Sequence, residues 1–327
     1  MKKAIATIIA LVLGLGVSGT AWPGEPETQH PGNPANARIV TEDLERFWMA
    51  WDAASDISDR SERERIFQAL YLAKGTPGLR EFLATRIATA ERLVKAIDGA
   101  PAYYASLRQH TPKAGRIEAP VRKAFAELEA LYPDAVFPDV YLLMGRMNAA
   151  GAIGESGLLI GFDMHGRTPG APVNELNAWL QTVLRPPEAL PYIVAHELIH
   201  FQQTWSAQPT LLEAVFLEGS ADFIAELIAG NHINEHVHAW AMPHEREIWQ
   251  RFAPAMHGTD YTGFLYSGAD RDLPEGWPPD VGYFIGYRIA QAYYEQAANK
   301  REAVADMLAG TDFDALLERS GYASRFE

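Results

Sequence analysis

The chain has 327 residues, of which 48% are hydrophobic, so it is long enough to bury a sizeable core. Its 42 acidic and 28 basic side chains give a formal charge of −14. This charge argues against nucleic acid as a partner and against electrostatic binding to anionic lipid, because both require a basic surface. The absence of cysteine excludes disulfide bonds and thiolate ligands, so any metal ion must be held by His, Asp or Glu.

The amino terminus has the pattern of a secretory signal peptide over residues 1–21. Two lysines precede an apolar run from Ala4 to Val17, and small residues follow up to Ala21, after which we expect cleavage. The alternative is a membrane anchor, but the run is shorter than the ~20 apolar residues that a spanning helix needs. We therefore predict an exported protein, periplasmic or secreted, without a stable membrane span. The run is followed by no cysteine to which a bacterial lipoprotein would attach its lipid.

Residues 22–40 are rich in Pro, Gly and Asn, which predicts a flexible linker. Residues 41–131 are predicted to form an amino-terminal helical region, because apolar residues recur there at helical spacing. Thr41 is a candidate N-cap, with two acidic residues in the first turn after it. The first helix places four large apolar side chains on one face, which we interpret as core packing: Leu44, Phe47, Trp48 and Trp51.

The pattern changes at Pro133, and residues 132–327 are predicted to form a second domain. Two short runs of β type, FPDVYLLMG and GLLIGFDMHG, flank a glycine-rich stretch that predicts a hairpin loop. The chain then returns to helices, which the pattern places at residues 174–184, in the histidine-bearing segment after Pro187, and at 211–230, 281–308 and 312–320.

The segment HELIH, from His196 to His200, is the strongest chemical signal in the sequence. Positions four residues apart share one face of a helix, so both imidazoles can reach one metal ion at about 2.0–2.1 Å. Glu197 lies beside the first histidine, where it can take a proton from a metal-bound water. The alternative is a structural helix that merely contains two histidines.

A second helix carries the segment EGSAD, which begins at Glu218, 18 residues after His200. That separation leaves room for a loop and a returning helix, so the Glu218 carboxylate can serve as a third ligand. Asp222 lies one turn further and is placed to accept a hydrogen bond from a ligating imidazole, here His196. The alternatives are a charge at a helix amino terminus for Glu218 and a solvated face for Asp222, but the flanking residues are largely apolar.

These two segments resemble the gluzincin metallopeptidases and, more narrowly, a family of predicted zinc-dependent proteases of unknown function. The resemblance covers residues 130–320 and rests on the segments HELIHFQQ, EGSAD and GYFIGYRIA. It implies a mostly helical α+β fold with a gluzincin-like catalytic core, a small mixed or antiparallel β-sheet and an active-site helix pair. It also implies an edge strand that binds an extended peptide, for which residues 157–166 are the candidate.

The resemblance further implies a downstream Tyr or His that stabilises an oxyanion. Tyr283 and Tyr287, in GYFIGYRIA, are the candidates, with His257 and Tyr266 as weaker ones.

The leading hypothesis is an exported zinc metallopeptidase that hydrolyses a peptide or protein substrate. Zn²⁺ is held by His196, His200 and Glu218, water fills the fourth position, and Glu197 acts as general base and then protonates the leaving amine. The alternative is a non-catalytic envelope, assembly or binding protein that zinc stabilises, and a third is a metal-free helical binding module.

Three further histidines are candidates for weaker roles. His232 and His236 are four residues apart and raise the possibility of a second metal ion, although a polar loop is the favoured interpretation. His165 is a candidate cleft residue.

Overall fold

A computed structural model describes residue 30 and residues 32–111, 114–267 and 273–327. The predicted signal peptide, residues 1–21, lies outside the described residues. The chain divides into two units. The sheet unit comprises Thr28–Ala126 and Val136–Leu198, and the helical unit comprises Glu127–Ala135 and Ile199–Glu327. The division cuts two continuous helices, so the predicted domain boundaries at residues 41 and 132 stay a prediction.

Short helices make up most of the sheet unit, and side-chain caps define where several of them begin. Asp59, Thr76 and Thr89 each accept a hydrogen bond from a backbone N–H of the first turn, whereas Thr41 occupies its predicted N-cap position without such a bond. The helices are α1 (Glu42–Ala54), α2 (Arg60–Leu70), α3 (Pro77–Phe82), α4 (Ala90–Gly99), α5 (Pro101–Leu107), α6 (Ala114–Leu131), α7 (Ala178–Val183) and α8 (Leu190–Gln202).

The large side chains of α1 belong to the core of the sheet unit. Leu44 and Phe47 are fully buried and Trp48 is 6% exposed, so the predicted core role of this face is confirmed for them. The Phe47 ring packs edge-on against Trp48, which is a favourable aromatic geometry.

Within the described residues, four strands form one mixed sheet in the order β1-β2-β4-β3. They are β1 (Ile39–Val40), β2 (Val140–Leu143), β3 (Ile153–Gly154) and β4 (Gly157–Gly161). Strand β2 pairs with β1 and β4 in parallel, and only β3 and β4 are antiparallel. The hairpin predicted between the β2 and β4 runs is therefore wrong, since a hairpin joins antiparallel strands.

Two further expectations about the sheet differ from the structure. Strand β4 lies between β2 and β3, so it is not the free edge predicted for peptide binding. On the side of β4 away from β2, Leu159 and Ala152 exchange two backbone hydrogen bonds, and the Gly161 N–H donates to the Ala150 carbonyl. Strand β1 lies within the segment predicted as flexible linker, where Ile39 pairs with Val140.

The helical unit is built around one long buried helix, α9 (Leu211–Ala229). Thr210 and Glu213 form a capping box at its start, and Gly230 ends it in a left-handed conformation with φ 84°, as predicted. The other helices are α10 (Glu235–Ala241), α11 (Glu245–Phe252), α12 (Gly282–Gln296), α13 (Lys300–Ala309) and α14 (Phe313–Ser320).

The predicted late helix over residues 281–308 is two helices, α12 and α13. Asn299 begins the second one, because its side chain accepts hydrogen bonds from the backbone N–H groups of Arg301 and Glu302. The Asn299 side chain thus starts a new helix where the apolar pattern predicts that the first one continues. Apolar periodicity alone does not reveal such a cap.

Two glycines allow α9 and α12 to approach closely. A Cβ atom on Gly219 would lie 2.0 Å from the Tyr287 backbone nitrogen, and one on Gly286 would lie 1.8 Å from the Val215 carbonyl oxygen. Neither position has room for a larger residue, so the glycine of EGSAD is explained by helix packing. The predicted mostly helical α+β class with a small mixed sheet is confirmed. Among the described helices, none combines the length and apolar character needed to cross a membrane.

Candidate metal centre

Helix α8 carries the two histidines of the HELIH segment. The division between the two units falls inside this helix, after Leu198. His196 and His200 are one turn apart on the same face, and each is 3% exposed. Burial removes them from water, so their ring nitrogens require partners within the protein.

His196, His200 and Glu218 each offer one ligand atom, and the three atoms lie within 4.8 Å of one another. We call these three residues the first centre. Glu218 is fully buried, and its Oε2 lies 3.1 Å from His200 Nε2. Two ligand atoms of a tetrahedral zinc ion with bonds of about 2.0–2.1 Å lie about 3.3 Å apart, so this separation fits a shared ion. The structure brings the three predicted ligands together, while their role as ligands stays a prediction.

Gln203 fixes the orientation of the His200 ring. The Gln203 amide nitrogen donates to the Leu217 carbonyl at 2.9 Å and contacts Ser220 Oγ at 3.1 Å, so its amide oxygen faces His200. That oxygen is 2.7 Å from His200 Nδ1, which must donate the hydrogen. In the neutral ring the proton is therefore on Nδ1, and the Nε2 lone pair faces Glu218.

Tyr266 holds the other oxygen of Glu218. Its hydroxyl donates to Glu218 Oε1 at 2.7 Å. Burial raises the pKa of Tyr266 well above its ordinary value, and the negative charge of Glu218 raises it further, so the hydroxyl keeps its proton.

The Trp205 ring packs against His200, with ring centroids 5.5 Å apart. Tyr266 was only a weaker sequence candidate, and Gln203 was missed, although it follows His200 by one helical turn.

Glu197 is 6% exposed, and its neighbours within the sheet unit leave little free space. A Cβ atom on Gly151 would lie 2.4 Å from Glu197 Oε1, so the carboxylate rests against the Gly151 backbone. Burial lowers the pKa of the Arg86 guanidinium, and the charge of Glu197 partly offsets that effect. The predicted role of Glu197 as a general base stays untested.

The two tyrosines predicted to be catalytic lie in different surroundings. The Tyr287 hydroxyl donates to Glu226 Oε2 at 2.8 Å, and its ring packs edge-on against His238. Burial raises the pKa of Tyr283, and the charge of Glu218 raises it further, so Tyr283 interacts electrostatically with the first centre. Tyr266, and not Tyr287, donates to the carboxylate of that centre.

Asp222 contacts Asn234 and His232, whereas the sequence predicted a contact with His196. Its Oδ2 accepts a hydrogen bond from the Asn234 amide at 2.7 Å and lies 3.7 Å from His232 Nδ1. Its predicted hydrogen bond with His196 stays a prediction. His165, the candidate cleft residue, is fully buried, and its Nδ1 donates to the Gly161 carbonyl at 3.0 Å, so it lies in the core.

Two buried carboxylates occupy successive turns of α9. Glu218 and Asp222 are both fully buried. Like charges one helical turn apart, roughly 6 Å, repel by about 3 kcal/mol at an effective dielectric constant of about 20. Both carboxylates lie against histidine, His200 in one case and His232 in the other. The arrangement favours binding of a cation, because positive charge offsets both desolvation and repulsion.

Comparison with known proteins changes the functional interpretation. A family model described as gliding motility protein GldB matches residues 35–324. No curated protein and no solved structure matches the chain. The assignment to a gluzincin-type protease family is therefore wrong, and so are the main prediction of a metallopeptidase function and its hydrolase description. The alternative of a non-catalytic envelope, assembly or binding protein agrees better with the match. Turnover of a substrate and zinc binding both stay predictions.

Proposed function

Because the chain belongs to the family of the gliding motility protein GldB, we propose that it is an exported assembly or binding component of a gliding apparatus, stabilised by zinc. The Zn²⁺ ion is held by His196, His200 and Glu218. It supplies positive charge between two helices and adds its binding free energy to the stability of the fold. Its role is to hold a surface that a partner recognises.

The contact between His200 and Glu218 is the observation that supports the metal ion in this proposal. Gln203 places the ring hydrogen on Nδ1, so the Nε2 lone pair and a carboxylate oxygen face each other at 3.1 Å. Two acceptors at this distance repel unless a proton or a metal ion lies between them. A proton satisfies only that pair, whereas a metal ion also accepts the lone pair of His196, whose ligand atom is within 4.8 Å of both.

The donor set suits zinc. Two imidazoles and one carboxylate are ligands that zinc accepts in tetrahedral geometry, and the chain offers no thiolate. Gln203 and Tyr266 hold the ligands from behind, in the way that outer hydrogen bonds orient metal ligands. Three side chains leave one zinc position for a further donor, which the partner or solvent supplies in this proposal.

Export agrees with the match to the GldB lipoprotein family. This chain has no cysteine among its 327 residues, so a thioether-linked lipid has no acceptor in them. We place the protein in the periplasm after removal of residues 1–21, held at the envelope by protein contacts.

Zinc content and thermal stability test the metal. Glu218→Gln should lose one equivalent of zinc relative to wild type, because one of three ligands becomes a neutral amide. Glu213→Gln, on the same helix but in the capping box, should lose none. Chelation should lower the stability of wild type by about 4 kcal/mol if zinc is held at 1,000-fold over its Kd. Equal zinc content in both variants, or a Tm unchanged by chelator, would overturn the proposal.

A motility assay separates assembly from turnover. In a strain that lacks the native gene, Glu197→Gln should restore gliding, since a non-catalytic protein has no use for a base at this position. Glu218→Gln should fail to restore it. If Glu197→Gln keeps its zinc and its Tm but abolishes gliding, the non-catalytic interpretation is wrong.

A further inference from the structure

A second group of metal-binding side chains lies within the helical unit, one turn beyond Glu218 along α9. Asp222, His232 and His238 each offer one ligand atom, and the three atoms lie within 4.8 Å of one another. Asp222 is fully buried and His232 is 7% exposed. We propose that these three side chains bind a second divalent transition-metal ion, distinct from the one at the first centre. The proposal rests on residues that the first centre does not use.

Two N–H groups of Asn234 mark the position of this ion. The side-chain amide donates to Asp222 Oδ2 at 2.7 Å, and the backbone N–H donates to His232 Nδ1 at 3.2 Å. The two acceptor atoms are 3.7 Å apart. Because an imidazole acceptor nitrogen has one lone pair, an ion bound at His232 Nδ1 takes the place of the Asn234 backbone N–H. Two ligands of a tetrahedral ion lie about 3.3 Å apart, so a shift of a few tenths of an ångström suffices. The ion replaces the partial positive charge that Asn234 supplies.

His238 completes the set. Among the described residues its Nε2 has no hydrogen-bond partner, although the atom is buried. Its ring centroid lies 4.3 Å from that of His232. Coordination to a metal ion would satisfy this buried nitrogen.

The outer contacts of the group are those of a metal site. His232 Nε2 faces Glu226 Oε2 at 3.7 Å, and the Tyr287 hydroxyl donates to the same carboxylate oxygen at 2.8 Å. At 3.7 Å this is an electrostatic contact and not a hydrogen bond, and the negative charge of Glu226 favours a cation bound to the His232 ring. A surface pocket of about 260 Å³, lined in part by Glu226, Tyr287 and Glu295, adjoins these residues.

The donor set selects the class of metal. Two imidazoles with one carboxylate suit first-row divalent transition ions such as Zn²⁺, Fe²⁺ and Co²⁺. Mg²⁺ and Ca²⁺ prefer oxygen ligands, so they are disfavoured here. Co²⁺ is a suitable probe, because its visible absorption reports each occupied site of this kind.

Titration of the full chain with Co²⁺ after chelator treatment tests the proposal. Wild type should bind two equivalents, as measured by visible absorption and by elemental analysis after desalting. His238→Phe should bind one, because phenylalanine keeps the aromatic packing but removes the ligand. His236→Phe is the matched control, since His236 lies on the same helix, is exposed and is not in the group; it should bind two. If His238→Phe fails to fold by circular dichroism, His232→Gln takes its place.

The outcomes separate this proposal from the first centre. If wild type binds one equivalent that Glu218→Gln loses and His238→Phe keeps, the Asp222 group is a hydrogen-bonded network only and the second site is wrong. If wild type binds one equivalent that only His238→Phe loses, the second site stands and the first centre is wrong. If wild type binds none, both are wrong. The double variant Glu218→Gln/His238→Phe should bind none, and a retained equivalent would contradict the two-site proposal.

Discussion

Gln203 offers the sharpest test of how the first centre is held. Replacing it by Met keeps a side chain of similar length but removes the acceptor 2.7 Å from His200 Nδ1. The other lost contacts matter less, because Ser220 Oγ already donates to the Leu217 carbonyl at 3.2 Å. The main consequence is that the buried His200 Nδ1–H loses its acceptor. The other nitrogen of the same ring, Nε2, is the one that binds the ion in this proposal.

The size of the effect follows from that single loss. A buried donor without a partner costs about 1–3 kcal/mol. Loss of the group behind a ligating imidazole lowers metal affinity by about 10–100-fold, or about 1.4–2.7 kcal/mol. We expect zinc affinity of Gln203→Met to fall within this range. Gln202→Met, at the preceding residue, where α8 ends, should stay within about threefold of wild type, as substitutions of partly exposed residues usually do.

Competition with a chromogenic chelator measures the zinc affinity of wild type and both variants. Circular dichroism of the metal-free forms controls for loss of fold. If Gln203→Met binds zinc as tightly as Gln202→Met, then the His200 ring is not oriented by this contact, and the inference that a cation must lie between His200 and Glu218 loses its basis.

Three further predictions concern other parts of the structure. Gly219→Ala should destabilise the helical unit by about 3 kcal/mol or more, because its Cβ would lie 2.0 Å from a backbone nitrogen of α12; urea denaturation of this variant measures it. Tyr266→Phe should weaken zinc binding about tenfold, because the hydrogen bond to Glu218 is lost; an unchanged Kd would contradict this. Burial lowers the pKa of His165 to about 4 from 6.5, so the unfolded chain gains a proton first as pH falls. Stability should therefore drop between pH 6.5 and 4 by up to about 3 kcal/mol from this group, and His165→Gln should lack that part of the drop in urea titrations at several pH values.

Local patterns in the sequence were enough to predict much of the helical framework. His196 and His200 share a face because helical periodicity requires it, and Gly230 ends α9 because its left-handed conformation suits glycine. Glu218 was predicted as their partner from its separation from His200 along the chain, and the structure places it 3.1 Å from that ring.

Contacts between distant segments were beyond what the sequence could show. The parallel pairing of β2 with β4 depends on register across the sheet, which apolar runs do not encode by themselves. Tyr266 reaches Glu218 from a loop 48 residues later, and no periodicity marks that approach. His238 joins Asp222 by the same kind of tertiary contact, whereas spacing alone pointed to His236.

The functional error had a different cause. HELIH and EGSAD describe a metal-binding geometry, and the same geometry serves catalysis and structure alike. The prediction of a peptidase went beyond that geometry on the basis of resemblance, and the family match overturned it.

An anomalous-difference map at the zinc absorption edge tests the central claim most directly. It should be measured on crystals of the mature chain, purified without chelator and without added metal. The proposal predicts a peak bonded to His200 Nε2, Glu218 Oε2 and a ring nitrogen of His196 at about 2.0–2.2 Å. Absence of a peak there, with His200 and Glu218 still about 3 Å apart, would show a protonated ion pair in place of the metal and would contradict the account.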